Sequence, residues 1–285
     1  MPAALPERAR LVVPVLAATG GSGRTTVARL LAEGLAASGS TVVLDLAPRL
    51  SSPWPARLTE QGAGGLAALP PDRPLTRSAV REAAAGYGNW QVLSDGREWH
   101  AQPLQLPEPP AAWYQLAAIG GWQAVVADTV HPLAHDILAA RAAGHPGRTR
   151  GWYELPYSVP VLCAPGTADG MQALQRAVLA LQAEGLPLGR SVAVLVATGD
   201  GRPPPVVRAG LTMLTAHTAA VVALPHDPVI RAQGVGTPLT RLRSRTRQAA
   251  DLITRAVLAT AHAAWGEPLP EAPQPAPLAS ALPVS

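Results

Sequence analysis

Residues Thr19 to Thr26 read Thr-Gly-Gly-Ser-Gly-Arg-Thr-Thr, and their types and spacing suit one kind of chemistry, the holding of an anion. An apolar run, Leu11 to Ala17, leads in and reads as a strand. An amphipathic segment from Val27 to Ala37 leads out and reads as a helix. Glycines at such a junction let backbone N–H groups turn inward around an anion at the helix N-terminus. The general phosphate-loop pattern is G-x-x-x-x-G-K-[ST]. Gly23 and Thr25 fit it, whereas Ala18 stands at the first glycine and Arg24 at the lysine. A tight glycine turn that binds nothing would look the same. Ser22 reads as part of the turn and not as a nucleophile, because no His and acid partners are identifiable.

The elements needed to position such a loop alternate along the chain. Strands are expected at Leu11–Ala17, Thr41–Leu46, Trp90–Leu93, Ala124–Asp128, Val159–Cys163, Val192–Ala197 and Ala219–Leu224. Most are continuous apolar runs, as in parallel strands covered on both faces. Helices are expected at Thr26–Ser38, Leu133–Ala143, Asp169–Glu184, Val206–Thr218 and Leu239–Ala264. That alternation predicts an α/β fold, a doubly wound, mostly parallel sheet with helices on both faces. Ligands in such sheets bind at the carboxyl ends of strands, where the glycine loop falls. The expected organisation is an extension over residues 1–9, a domain over 10–265 and a Pro/Ala-rich disordered tail over 266–285. Pro48 to Gly88 carries only weak helical signals, such as Ser78–Ala85.

Composition narrows the classes further. With 285 residues, 48% of them hydrophobic, the chain can bury a substantial core. Phe is absent and all 23 basic residues are Arg, so Arg24 taken alone is what drift toward arginine produces. A guanidinium fork is still not a neutral exchange for an ammonium in a tight loop. The net charge of +4 suits an anionic partner. The single cysteine, Cys163, lies in an apolar run and reads as a buried strand residue. His131, His135, His145 and His217 have no metal-ligand spacing. Trp99, Trp113, Trp122 and Trp152 read as packing residues. The uncharged stretch Pro109–Ala127 is broken by Pro, Gln and a Gly-Gly pair, which argues against a membrane span. The protein reads as cytoplasmic.

Several stretches in fixed order resemble the ParA/MinD family of deviant P-loop ATPases, from about residue 10 to residue 262. Thr19 to Thr26 resembles the loop K-G-G-x-G-K-[ST]-[ST], and Val42 to Arg49 resembles the family strand that ends in D-x-D-P-Q. Trp122 to Thr129 resembles the Walker B strand, and Val192 to Thr198 the strand ending in a base-contacting Asn. Val221 to Asp227 resembles the late strand with its I-P-x-D turn, which includes Pro225. The resemblance implies ATP or ADP with Mg²⁺ as ligand. Backbone amides of Gly20, Gly21, Ser22, Gly23, Arg24 and Thr25 would hold the phosphates, with Thr26 near the α-phosphate and Thr198 and Pro225 at the base. Thr25 would ligate Mg²⁺, Asp128 would hold it through water, and Asp45 would join its shell. Asp128 read alone also suits a strand-end acid capping a turn, and Asp45 equally a solvated strand end.

Three positions depart from the family pattern. Thr19 stands where a loop lysine reaches across a dimer, Arg24 where the phosphate lysine sits, and Ala47 where an acid positions the attacking water. Losing charged groups around a transferring phosphoryl removes most of what catalyses the step. The expectation is a nucleotide-binding regulator or positioning factor with weak or no hydrolysis, acting in segregation, septum placement or secretion or conjugation machinery. The alternative is a pseudo-ATPase adaptor that binds protein or DNA without nucleotide. A homodimer, an unidentified protein and nonspecific DNA are the expected partners. Arg241, Arg243, Arg245 and Arg247 form the candidate DNA contact, or else a solvated helix face, with only Asp251 near in sequence to balance them.

Overall fold

The computed structural model describes residues 4–70, 73–98 and 100–275. Trp99 and residues 276–285, on which two of the sequence expectations fall, lie outside the described residues. Eight strands form one sheet: β1 (Leu11–Ala17), β2 (Thr41–Asp45), β3 (Ala85–Tyr87), β4 (Trp90–Leu93), β5 (Ala124–Pro132), β6 (Val161–Pro165), β7 (Val192–Val196) and β8 (Ala220–Leu224). Their spatial order is β3-β4-β2-β5-β1-β6-β7-β8. All neighbours are parallel except the β3–β4 pair. Alternate residues of the central strands face two separate cores. Leu11, Val13, Val15, Val43 and Val126 meet one, and Val12, Leu16, Leu44, Val125 and Ala127 meet the other. Both faces are dry, which is why these strands read as unbroken apolar runs.

The helices divide between the faces. The first core takes α1 (Arg24–Leu35), α2 (Pro55–Gln61) and, near the end of the chain, α10 (Ser244–Trp265). The opposite core takes α3 (Arg77–Ala83), α4 (Pro110–Gly120), α5 (Leu133–Ala143), α6 (Arg148–Glu154), α7 (Ala168–Ala183) and α8 (Pro205–Thr215). A short α9 (Pro228–Gln233) follows β8, its N-terminus capped by the Asp227 carboxylate. α1 and α10 approach closely at Gly34, where a Cβ would come 3.1 Å from Thr254 Cβ.

Several boundaries differ from the sequence expectation. The weak helical signal near Ser78 resolves into α3 followed by the antiparallel edge strand β3. Helix α10 begins five residues after Leu239, because Arg243 N–H is held at 2.9 Å by Asp227 Oδ2 and its backbone is extended there. Residues 266–275 are not loose: Leu269 is buried, Ala272 N–H donates to the Arg8 carbonyl, and Tyr157 and Tyr114 hydroxyls donate to the Glu271 and Pro273 carbonyls. One apolar anchor and a handful of hydrogen bonds decide the matter against composition. Among the described residues no helix is long and apolar enough to cross a membrane.

Candidate functional site

The carboxyl ends of β1, β2 and β5 lie side by side, with Asp45 of β2 directly paired with Asp128 of β5 in the register. The glycine loop leaves β1 at this edge. Gly21 and Gly23 have φ values of 67° and 76°, which favour glycine, and Gly23 caps α1 in that left-handed conformation. A Cβ on Gly23 would come within 3.0 Å of Val196 Cγ1, so glycine is needed there for space as well. Gly20 and Gly21 are exposed, and a Cβ on either would meet nothing within 4 Å. Ser22, the next residue, is buried, and its Oγ has no hydrogen-bond partner. An open glycine backbone with an unsatisfied hydroxyl at a helix N-terminus fits a phosphate.

Arg24 reaches from the first turn of α1 to the end of β5, where Nη1 donates to the His131 carbonyl at 3.3 Å. Burial lowers its pKa, and the Asp128 charge opposes that shift. Guanidinium remains charged under either influence. His131 is neutral at pH 7: burial brings its pKa down to about 4, against a smaller upward pull from Asp136. Its Nε2 lies 3.2 Å from Thr149 Oγ1.

The two acids are enclosed. Asp128 Oδ2 accepts from Trp54 Nε1 at 3.0 Å, and the Thr25 hydroxyl is a further hydrogen-bond partner. Burial raises the Asp128 pKa, with Trp54, Thr25 and Arg24 acting in the opposite direction. Asp45 is fully buried: Oδ1 accepts from Ala47 N–H at 3.0 Å, and Oδ2 accepts from Ser52 Oγ at 2.7 Å and from Ser94 Oγ. Burial pushes its pKa up to about 7, and the neighbouring Asp128 adds to that. A divalent cation needs carboxylate oxygens, or waters on them, facing free space. Three donors hold Asp45 and an indole holds Asp128 Oδ2, so the acid pair as arranged does not fit magnesium; the loop does fit phosphate. Among the described residues no group of three or more His, Cys, Asp or Glu is placed to hold a metal.

Thr198 and Pro225 line a cavity of about 420 Å³ at the ends of β6, β7 and β8, together with Gly166, Leu195 and Arg245. Thr26 is half-buried in the first turn of α1. Thr19 and Ala47 are half-buried, Ala47 being tied to Asp45 through its backbone. Of the arginine cluster, Arg245 lines the Thr198 cavity, and the cluster is only partly free. Arg243 Nη1 pairs with Asp200 Oδ1 at 2.8 Å, and Arg245 pairs with the same oxygen. Asp200 is more than forty residues away in sequence, so the chain alone showed only Asp251. Arg241 and Arg247 are exposed. Cys163 is buried and burial raises its thiol pKa. Sequence reasoning missed Trp54, Ser52 and Ser94, whose roles depend on contacts between distant segments.

No protein-family model matches the sequence, and no curated protein matches it. Solved structures do. MinD of Aquifex aeolicus is similar with a TM-score of 0.54 at 12% identity, over 91% of this chain and 98% of that one. The cell division ATPase MinD of Pyrococcus furiosus gives 0.53 at 17% identity, over 87% and 98%. A Borrelia burgdorferi protein described as a plasmid partition protein, solved with AMPPNP, gives 0.53 at 9% identity, over 88% and 98%. The fold is thus α/β, an eight-stranded, mostly parallel sheet with helices on both faces. Within that class the architecture is the ParA/MinD P-loop ATPase fold.

Proposed function

We propose that the chain binds a nucleotide through the Gly20–Thr25 loop and acts as a regulator or positioning factor that turns ATP over slowly or not at all. The observation that carries this is the loop itself: an open glycine cradle, a buried Ser22 Oγ with no partner, and the start of α1 behind them. The Borrelia protein of the same fold holds AMPPNP, which supports a nucleotide as the anion. Thr198 and Pro225, which line one cavity, support a base-binding role for that cavity. Ala47 has no group to orient water, and Thr19 offers no cation to a partner's nucleotide. A missing cationic finger alone costs roughly 10³–10⁵ in rate.

A homodimer across this edge has support from Leu50, which is 76% exposed at the site's rim. The exposed guanidiniums of Arg241 and Arg247 support the second reading, an adaptor that binds DNA or protein without nucleotide. One titration separates the readings. ATP and ADP are expected to bind saturably below millimolar concentration, with Arg24→Ala weakening them about tenfold or more. Binding that fails to saturate, or ignores Arg24→Ala, contradicts the first reading. DNA binding that falls steeply with salt would favour the second.

A further inference from the structure

We propose that this site takes the phosphate chain of a nucleotide in its metal-free form, with Arg24 supplying the positive charge and Trp54 and Ser52 closing the acids to any cation. The proposal rests on the nucleotide-binding reading. Its starting observation is that one short segment, Ala47 to Trp54, is fastened to both acids at once. Ala47 N–H and Ser52 Oγ hold Asp45, and Trp54 Nε1 holds Asp128. Ser52 Oγ also accepts from Trp54 N–H at 3.2 Å, so the two fastenings reinforce each other.

Trp54 is not free to swing aside. It is fully buried, meeting Tyr87 edge-on at 5.6 Å and Trp90 edge-on at 5.9 Å between ring centroids, while Tyr87 and Trp90 stack at 4.6 Å. Those two rings come from β3 and β4 at the sheet edge, where they form a box around the indole. A hydrated cation near Asp128 would compete with a hydrogen bond whose donor is fixed by three-ring packing. An ionised carboxylate offers about four acceptor sites, and Asp45 has three occupied.

The loop keeps one positive side chain of its own, Arg24. Arg24 carries five N–H donors, one of which, on Nη1, donates to the His131 carbonyl. A guanidinium fork can meet two phosphate oxygens at once, which an ammonium cannot. The loop amides and Ser22 Oγ supply the remaining donors. The ligand class is therefore a nucleoside di- or triphosphate without its metal.

The test is calorimetric titration of ADP and of ATP into the full chain, once with EDTA and once with excess Mg²⁺. Binding is expected to be at least as tight in EDTA as in Mg²⁺, because excess Mg²⁺ complexes the nucleotide in solution and leaves less of the free form that the site takes. Trp54→Phe keeps a ring in the box and removes the N–H. In that variant magnesium should strengthen binding relative to EDTA by about tenfold. Chelation that weakens wild-type binding tenfold or more overturns the proposal, as estimated from the usual worth of one charge-assisted contact. The wild-type comparison decides the matter even where Trp54→Phe fails to fold. Absence of saturation in both buffers would remove the nucleotide reading itself, a different result from a metal requirement.

Discussion

Two regions at the same sheet edge have opposite character. The loop from Gly20 to Gly23 is open to solvent at Gly20 and Gly21 and keeps a buried hydroxyl with no partner. The acid pair, Asp45 and Asp128, lies on neighbouring strands, buried and hydrogen-bonded by side chains from three other segments. A buried hydroxyl without a protein partner leaves a donor for a water or a ligand to satisfy, whereas satisfied groups hold a structure together. The loop retains the physical requirements for receiving an anion. The acids have become fastening points for the segment that follows β2.

The largest test of that contrast is removal of the fastening. Trp54→Ala empties the box formed with Tyr87 and Trp90 and leaves Asp128 short of a donor. Denaturant unfolding should show a loss of about 3–5 kcal/mol; a loss under about 1 kcal/mol would mean the indole is not structural. Next comes the pH dependence of Asp45. Its pKa is raised from 3.8 to about 7, so the folded state keeps a proton that the unfolded chain releases near pH 4. Stability from this group is full below pH 4 and is lost as pH rises toward 7, by up to about 4 kcal/mol. Asp45→Asn should flatten that slope, and an unchanged slope would assign it elsewhere.

A smaller effect is expected in the loop. Gly23→Ala forces a side chain into a left-handed conformation against Val196, costing about 1–2 kcal/mol of stability and abolishing nucleotide binding at accessible concentrations. Retained binding would show that the loop does not need its present shape. The smallest concerns the surface: Asp200→Asn releases Arg243 and Arg245 with little change in stability, since exposed ion pairs are screened by solvent. If the arginines meet DNA, the same variant should bind it more tightly at low salt; unchanged binding places DNA elsewhere.

The fold was largely legible because parallel strands buried on both faces leave continuous apolar runs, and β1 and β4 fall where those runs do. Helices α2, α4, α6 and α9 were not legible. α4 lies between α3 and α6 and has no polar stripe to give it a period. The loop could be read because its chemistry is contiguous. What surrounds the acids could not, since Trp54 reaches Asp128 across 74 positions and Ser94 reaches Asp45 across 49. Asp200 was hidden from the arginine cluster for the same reason.

The most direct test is a ¹H–¹⁵N correlation spectrum of the full chain titrated with ADP in EDTA. The account predicts saturable shifts in the amides of Gly20 to Thr25, with the Trp54 Nε1–H resonance unmoved when Mg²⁺ is then added. Still loop amides, or a Trp54 indole resonance that moves on adding magnesium, would contradict it.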